Sequence, residues 1–297
     1  MIINQSNLSI LNQAFSGAFK GGLSTAAPMW KQLATLVPST TSEQKYGWLG
    51  KITKFREWIG ERQYQNLVQH DYTIKNKTFE NTVTVGREDI EDDQYGVYAP
   101  MFEQLGQDAA THPDEMVFSL LMAGFNTPCF DGQYFFDTDH PVGQPGKQHS
   151  VSNFQGGSGT PWFLLDTSRV IKPLIYQKRR DYAFTAKTSL TDDNVFNRNE
   201  FVWGADGRGN VGFGLWQLAM ASKEDLTVDA YSDARAQHQS FKADNGQPLV
   251  IRSTELWVPP TLERKALEIV QAERLANGAS NVMAGTAKVV VCPWLVQ

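Results

Sequence analysis

Cysteine is nearly absent: Cys129 and Cys292 are the only two in 297 residues, with no CxxC pair and no histidine at ligand spacing beside them. A disulfide framework and a structural zinc site are therefore not expected, and both thiols read as buried and reduced. No stretch approaches the roughly 20 consecutive apolar residues of a membrane-spanning helix, so no membrane partner is expected. The first twenty residues lack a basic start and a long apolar centre, which argues against a secretory signal. The expectation is a chain made and kept in the cytosol, or in something assembled there. Basic side chains are outnumbered 27 to 32, for a net charge of −5. Binding nucleic acid by bulk charge is not expected, because affinity for phosphates comes from Lys and Arg. Such a chain can still lie beside DNA without reading it. No period of roughly 20–50 residues repeats, which removes solenoids and propellers.

What is present is an ordinary globular balance, 41% hydrophobic and 20% charged, enough to bury a sizeable core. The 24 glycines and 13 prolines imply many turns and suit a mixed α+β chain better than a bundle. Leu8, Leu11, Phe15 and Phe19 form a helical stripe ended by Gly21 and Gly22; Trp30, Leu33 and Val37 form a second, stopped at Pro38. Residues 1–45 thus read as an arm with apolar faces and no domain of its own, folding back on the chain or lying on a neighbouring copy. Tyr72 and Ile74, then Val83 and Val85, alternate around Asn76-Lys77, which predicts a long hairpin over about residues 65–86. A two-stranded ribbon is marginal alone in water, so something must cover it.

The acidic run 87–93 reads as capping for the helix that follows rather than as a metal site. Phe102, Leu105, Ala109, Met116 and Leu120 stay in phase across Pro113, predicting one long helix bent at the proline. Residues 126–160 read as loop-rich. Strands are expected at 162–165, 170–176, 182–187, 199–203, 249–251, 256–258 and 289–292, and helices at 212–221, 230–241 and 261–276.

Three groups could carry chemistry. Asp137, Asp139 and His140, with Asp131 nearby, offer two carboxylates and an imidazole for a divalent metal or acid–base work. They sit in a Gly/Pro-rich loop, where Asp and His usually satisfy backbone groups. Residues 207–212 match GxGxxG, with Asp225 and Asp229 roughly where a ribose-binding acid would stand. The preceding strand lacks a continuous apolar run, and about ninety residues after the motif are too few for a dinucleotide fold plus a substrate domain. There is no GxSxG and no Cys/His pairing. Lys178-Arg179-Arg180 reads as a solvated strand end, or as a contact to phosphates or a partner's carboxylates. From chemistry alone no catalytic, cofactor-binding or metal-ligating residue is assigned, and no cofactor is expected.

Blocks of residues along nearly the whole chain resemble the major head subunit family of phage Mu and Mu-like prophages, and they come in the family's order. The early blocks are residues 56–62, 72–76 with Phe79 and Glu80, and 89–93. In the middle of the chain they are Asp131-Gly132, Phe135-Phe136, His140-Pro141, Leu165-Asp166 with Ser168-Arg169, and 172–175 with Gln177. The last are 212–217, 258–263, Gly285-Thr286 and 293–295.

The resemblance implies an α+β, Hong Kong 97-like capsid fold. It implies an N-terminal arm (1–45), an extended E-loop hairpin (46–86), a peripheral domain with a long spine helix (87–220) and an axial domain (221–297). The implied function is that of a major capsid protein. It would self-assemble into pentamers and hexamers of an icosahedral shell that encloses double-stranded DNA without sequence-specific contacts. Scaffold, head protease and portal would be its assembly partners. The implied location is the virion capsid, and the host cytoplasm during assembly. On this reading the glycine motif is a strand-to-helix turn of the peripheral domain. The rival readings are an encapsulin-like compartment shell and a nucleotide-dependent oxidoreductase.

Overall fold

The computed structural model describes residues 2–49, 72–92, 96–144, 146–274 and 278–296. Helix α1 (Gln5–Thr25) is followed by a single turn, α2 (Trp30–Leu33), and by strands β1 (Ala34–Pro38), β2 (Glu43–Lys45), β3 (Thr73–Lys75) and β4 (Lys77–Gly86). Helices α3 (Arg87–Asp92) and α4 (Ala99–Ala123) come next. They lead into β5 (His140–Val142), β6 (His149–Val151), β7 (Phe154–Gly157), β8 (Trp162–Leu165) and β9 (Leu174–Lys187). The rest comprises α5 (Asp193–Arg198), β10 (Glu200–Phe213), β11 (Ala219–Lys223), α6 (Val228–Gln239), β12 (Glu255–Val258), α7 (Glu263–Val270) and β13 (Lys288–Val291).

Two sheets organise the molecule. One runs β1-β9-β10-β4, with β1 parallel to β9 and the remaining pairs antiparallel. The other runs β13-β12-β8-β11-β7. The second sheet takes β7 and β8 from before residue 220 and β11, β12 and β13 from around and after it, or just short of it in the case of β11's first residue. The small pairs β2-β3 and β5-β6 lie outside both.

Helix α4 joins the two cores, and its sequence explains how. Phe102, Leu105 and Ala109 in its first half enter a small cluster with Val85, Phe201 and Trp203. Val117, Phe118 and Leu121 in its second half enter the large cluster around β8, β11 and β12. Pro113 sits within the helix, as the unbroken stripe predicts. The next residue, Asp114, is buried, and its carboxylate accepts the N–H groups of Met29 (3.0 Å) and Trp30 (2.6 Å), so it caps α2 from another part of the chain.

Helix α1 starts where the Asn4 side chain accepts the Asn7 N–H at 2.8 Å. Its stripe of Leu8, Phe15 and Phe19 is buried in its own chain: Phe15 stacks on Phe102 with centroids 4.1 Å apart and meets Trp203 edge-on. Of the two fates open to the arm, α1 takes the first and folds back. Close approach to α4 depends on glycine, since a Cβ at Gly22 would stand 1.9 Å from the Glu103 carbonyl oxygen.

Several local expectations are corrected. The hairpin with a turn at Asn76-Lys77 does not form. Residues 77–86 pair instead with β10 over a ten-residue antiparallel register, from Lys77↔Gly209 to Gly86↔Glu200, while β3 pairs with β2. The long ladder satisfies far more backbone groups than a short ribbon on itself would. The intervening segment 50–71 of the expected E-loop lies outside the described residues. The second stripe, Trp30 to Val37, is one helical turn and then a strand, because Ala34 to Pro38 pair with β9.

The acidic run forms its own short helix, α3, with Glu88 and Asp89 in its first turn; Asp93 lies outside the described residues. Residues 174–187 are one strand rather than two. The helix expected at 212–221 is the end of β10, a short 3-10 turn and β11. No strand forms at 249–251, and α7 stops at Val270, well short of residue 276.

Candidate functional site

The titratable residues singled out in the 131–140 loop separate into two sets. A tight turn, with Gly132 at φ 90°, brings Asp131 back over Cys129. The Asp131 carboxylate then faces His140 at the start of β5. Its Oδ2 lies 2.8 Å from His140 Nδ1, and its Oδ1 accepts the Cys129 thiol and the Gln133 N–H, each at 3.1 Å. On the far side of the ring, His140 Nε2 lies 3.2 Å from Asn153 Oδ1. The Asn153 amide is oriented by its own donor, which reaches the carbonyl oxygens of Phe135 (2.8 Å) and Ala219 (3.2 Å). His140 stacks flat on Trp216, with centroids 3.9 Å apart. His140 is 0% exposed and Asn153 and Trp216 are buried with it, while the Asp131 side chain keeps 7% exposure.

Burial works to raise the Asp131 carboxyl, but the hydrogen bond and charge of His140, with the Cys129 and Gln133 donors, outweigh it and hold the carboxyl below its ordinary range. Burial and the adjacent Asp131 charge push the Cys129 thiol up, so it stays S–H. One ligand atom from each of Cys129, Asp131 and His140 falls within 4.8 Å of the others. Each of those atoms is nevertheless already turned onto another member of the group, and the arrangement is a hydrogen-bond network tying the 129–140 loop to Asn153, just before β7, and through it to β11. The carboxylates of Asp137 and Asp139 do not join it, although the Asp137 N–H donates to Asn153 Oδ1 at 2.9 Å. Asp137 accepts the N–H groups of Thr138 (2.7 Å) and Tyr134 (3.1 Å), as a turn carboxylate does. Asn153 and Trp216 carry no local motif linking them to His140, and sequence reasoning missed both as its partners.

The glycine motif is not a strand-to-helix turn; residues 207–212 lie inside β10. The reason for glycine is close packing. A Cβ at Gly207 would stand 2.7 Å from the Tyr182 ring, one at Gly209 2.7 Å from the Gln177 carbonyl oxygen, and one at Gly212 2.2 Å from Ile74 Cδ1. The ladder to β9 also slips in register between Asp206 and Gly209. A motif sealed between strands has no helix N-terminus to offer a pyrophosphate. In the basic run, Lys178 pairs with Asp181 at 2.7 Å and Arg180 pairs with Asp206. Both cysteines are free and buried, as read from the sequence.

The surface carries features of another kind. The β2-β3 pair brings residues 45 and 73 side by side. Among the described residues, strand β4 is an edge of its sheet. Large apolar side chains stand in water at separate positions, among them Phe196 on α5 and Val170 between β8 and β9.

The family model described as Mu-like prophage major head subunit gpT matches residues 8–295. The chain is 41% identical over 305 residues to the major capsid protein of Escherichia phage Mu, covering 99% of this chain and all of that protein. It is 43% identical over 271 residues to the Mu-like prophage FluMu major head subunit of Haemophilus influenzae, covering 89% of this chain and 88% of that one. Among solved structures it is similar to the procapsid of bacteriophage JBD30. That match has a TM-score of 0.89 and 45% identity, over 98% of this chain and 100% of that one.

Proposed function

Since this chain belongs to the Mu-like prophage major head subunit gpT family, we propose a mechanism of shell building in which folded copies close into rings through head-to-tail contacts. The chain is a major capsid protein of a Mu-like phage, a structural component of the virion and not an enzyme, and its α+β fold is of the Hong Kong 97-like capsid type. Five or six copies would meet around each capsomer axis, giving the pentamers and hexamers of an icosahedral shell. Match to a phage procapsid along essentially the whole chain carries this reading.

The four segments keep their proposed roles. Residues 1–45 are the arm, with α1 seated on the spine helix α4 of its own copy. Residues 46–86 are the E-loop, whose described strands β3 and β4 pair with β2 and β10. Residues 87–220 are the peripheral domain, carrying the two long central strands, β9 and β10, of the sheet β1-β9-β10-β4. Residues 221–297 are the axial domain, whose sheet is completed by β7, β8 and β11. Double-stranded DNA lies inside without sequence-specific contacts, in keeping with the net charge of −5. Scaffold, head protease and portal act during assembly in the host cytoplasm. A compartment shell for protein cargo and a nucleotide-dependent oxidoreductase are not favoured. The relatives are phage head subunits, and the glycine motif is filled by its neighbours.

The test is electron microscopy of the full chain expressed alone and with the proposed assembly partners. Closed shells are expected with the partners present. A monomer at high concentration beside those partners would refute the mechanism.

A further inference from the structure

Two described residues other than glycine adopt a left-handed backbone, Asn199 (φ 54°) and Val250 (φ 55°). Asparagine tolerates that conformation; a β-branched side chain does not, and it persists only where surrounding structure enforces it. Burial does not repay Val250, because its neighbours Leu249 and Ile251 are buried while Val250 itself is 63% exposed.

What enforces the conformation is a bracket built on Asp166, whose side chain is only 1% exposed. Its carboxylate accepts the Arg252 N–H at 3.0 Å and the Arg169 Nε–H at 3.2 Å. The Arg169 guanidinium reaches across and donates to the carbonyl oxygens of Leu249 (2.7 Å) and Val250 (3.1 Å). The residue after Arg169 is Val170, which is 91% exposed. Its loop is pinned in turn, because the Thr35 hydroxyl accepts the Lys172 N–H at 2.8 Å and Lys172 Nζ donates to the Gln32 carbonyl oxygen at 2.9 Å.

Two exposed apolar side chains thus flank one buried anchor, one of them at the cost of backbone strain. Glycine or asparagine at 250 would remove the strain, and a polar residue at 170 would suit water. A strained backbone that displays an apolar side chain points to contact with another surface, since ordering the chain beforehand lowers the cost of binding. In a head subunit, the surface that each copy meets most is another copy of itself.

We propose that Val250 and Val170, displayed on the Asp166–Arg169 bracket, form an assembly contact that docks on an apolar surface of a neighbouring copy of this chain. The inference rests on the capsid reading above. Its test compares wild type with Val250→Asn and Val170→Asn, each as the full chain expressed with the proposed assembly partners. Thermal unfolding of unassembled subunits is measured beside the yield of closed shells on gradients and by electron microscopy.

Unassembled Val250→Asn should melt at or above the wild-type temperature, because its strain is relieved. Val170→Asn should melt like wild type. Shell yield should fall roughly tenfold for each, the effect of losing one well-buried valine from a contact. Wild-type shell yield from both variants would overturn the contact and leave the capsid reading standing. A Val250→Asn subunit that melts well below wild type would also overturn it, by making the valine a folding residue. Failure of wild type itself to form shells would instead overturn the capsid reading, and this inference with it.

Discussion

Alanine at Gly106 puts the seating of α1 on α4 to a direct test. A Cβ there would stand 2.1 Å from the Phe19 carbonyl oxygen and 2.9 Å from the Leu23 nitrogen. Both obstacles are helix backbone, so no rotamer change makes room, and the helices must part by about 1 Å to reach ordinary contact. Overpacking of this kind costs about 1–3 kcal/mol. The same movement loosens Leu8, Phe15 and Phe19, each worth about 1.5–3 kcal/mol when fully buried. Against this, alanine gains up to about 1 kcal/mol of helix propensity over glycine.

The net expectation for Gly106→Ala is a loss of about 2 kcal/mol, read as a melting temperature lower by roughly 4 °C. Gly17 and Gly21 provide the internal control. They lie on α1, the helix that packs against Gly106, with nothing within 4 Å of an added Cβ, so alanine there should stabilise by up to about 1 kcal/mol. Thermal unfolding of unassembled subunits, with hydrogen exchange across residues 5–25, reads both effects. Gly106→Ala with wild-type stability and unchanged protection of α1 would refute the self-packed arm.

Two further predictions concern buried histidines. His238 is fully buried, with Nδ1 3.0 Å from the Ser253 hydroxyl and Nε2 3.1 Å from the Gln217 carbonyl oxygen, and burial lowers its pKa from about 6.5 to about 4. The unfolded chain therefore binds the proton first. This residue's contribution is fully present above pH 6.5, and roughly 3 kcal/mol is lost as pH falls towards 4. Urea unfolding across that window should show the slope and His238→Gln should flatten it; an equal slope in both proteins would count against the assignment. His140→Ala strips the buried Asp131 carboxylate of its partner and should cost about 3–5 kcal/mol in urea unfolding, more than Asp131→Asn. A cost below about 1 kcal/mol would show that the network does not hold the 129–140 loop.

Much of the local structure was legible because it is written in local patterns. Helix α4 runs unbroken through Pro113, although beyond it Val117, Phe118 and Leu121 are buried while the expected Met116 and Leu120 are half-buried; α6 falls within two residues of its expected limits, and β8, β12 and β13 match runs of apolar residues. The family blocks made the fold class and the function legible as well. The polar cluster was only half legible. Asp131 and His140 stood out by chemistry and lie 2.8 Å apart, whereas Asn153 and Trp216 complete the group from strands and turns that no spacing rule connects.

Sequence by itself determined which faces had to be buried and which residue types recur in head subunits, since periodicity and composition are properties of neighbouring residues. Tertiary structure decided the partners. It gave β4 to β10 rather than to β3, turned a nucleotide-like glycine motif into a close-packed strand, and laid the arm's apolar stripe on α4 of the same copy. An apolar stripe is satisfied by any complementary surface within reach, and which surface lies nearest is set only when distant segments have come together.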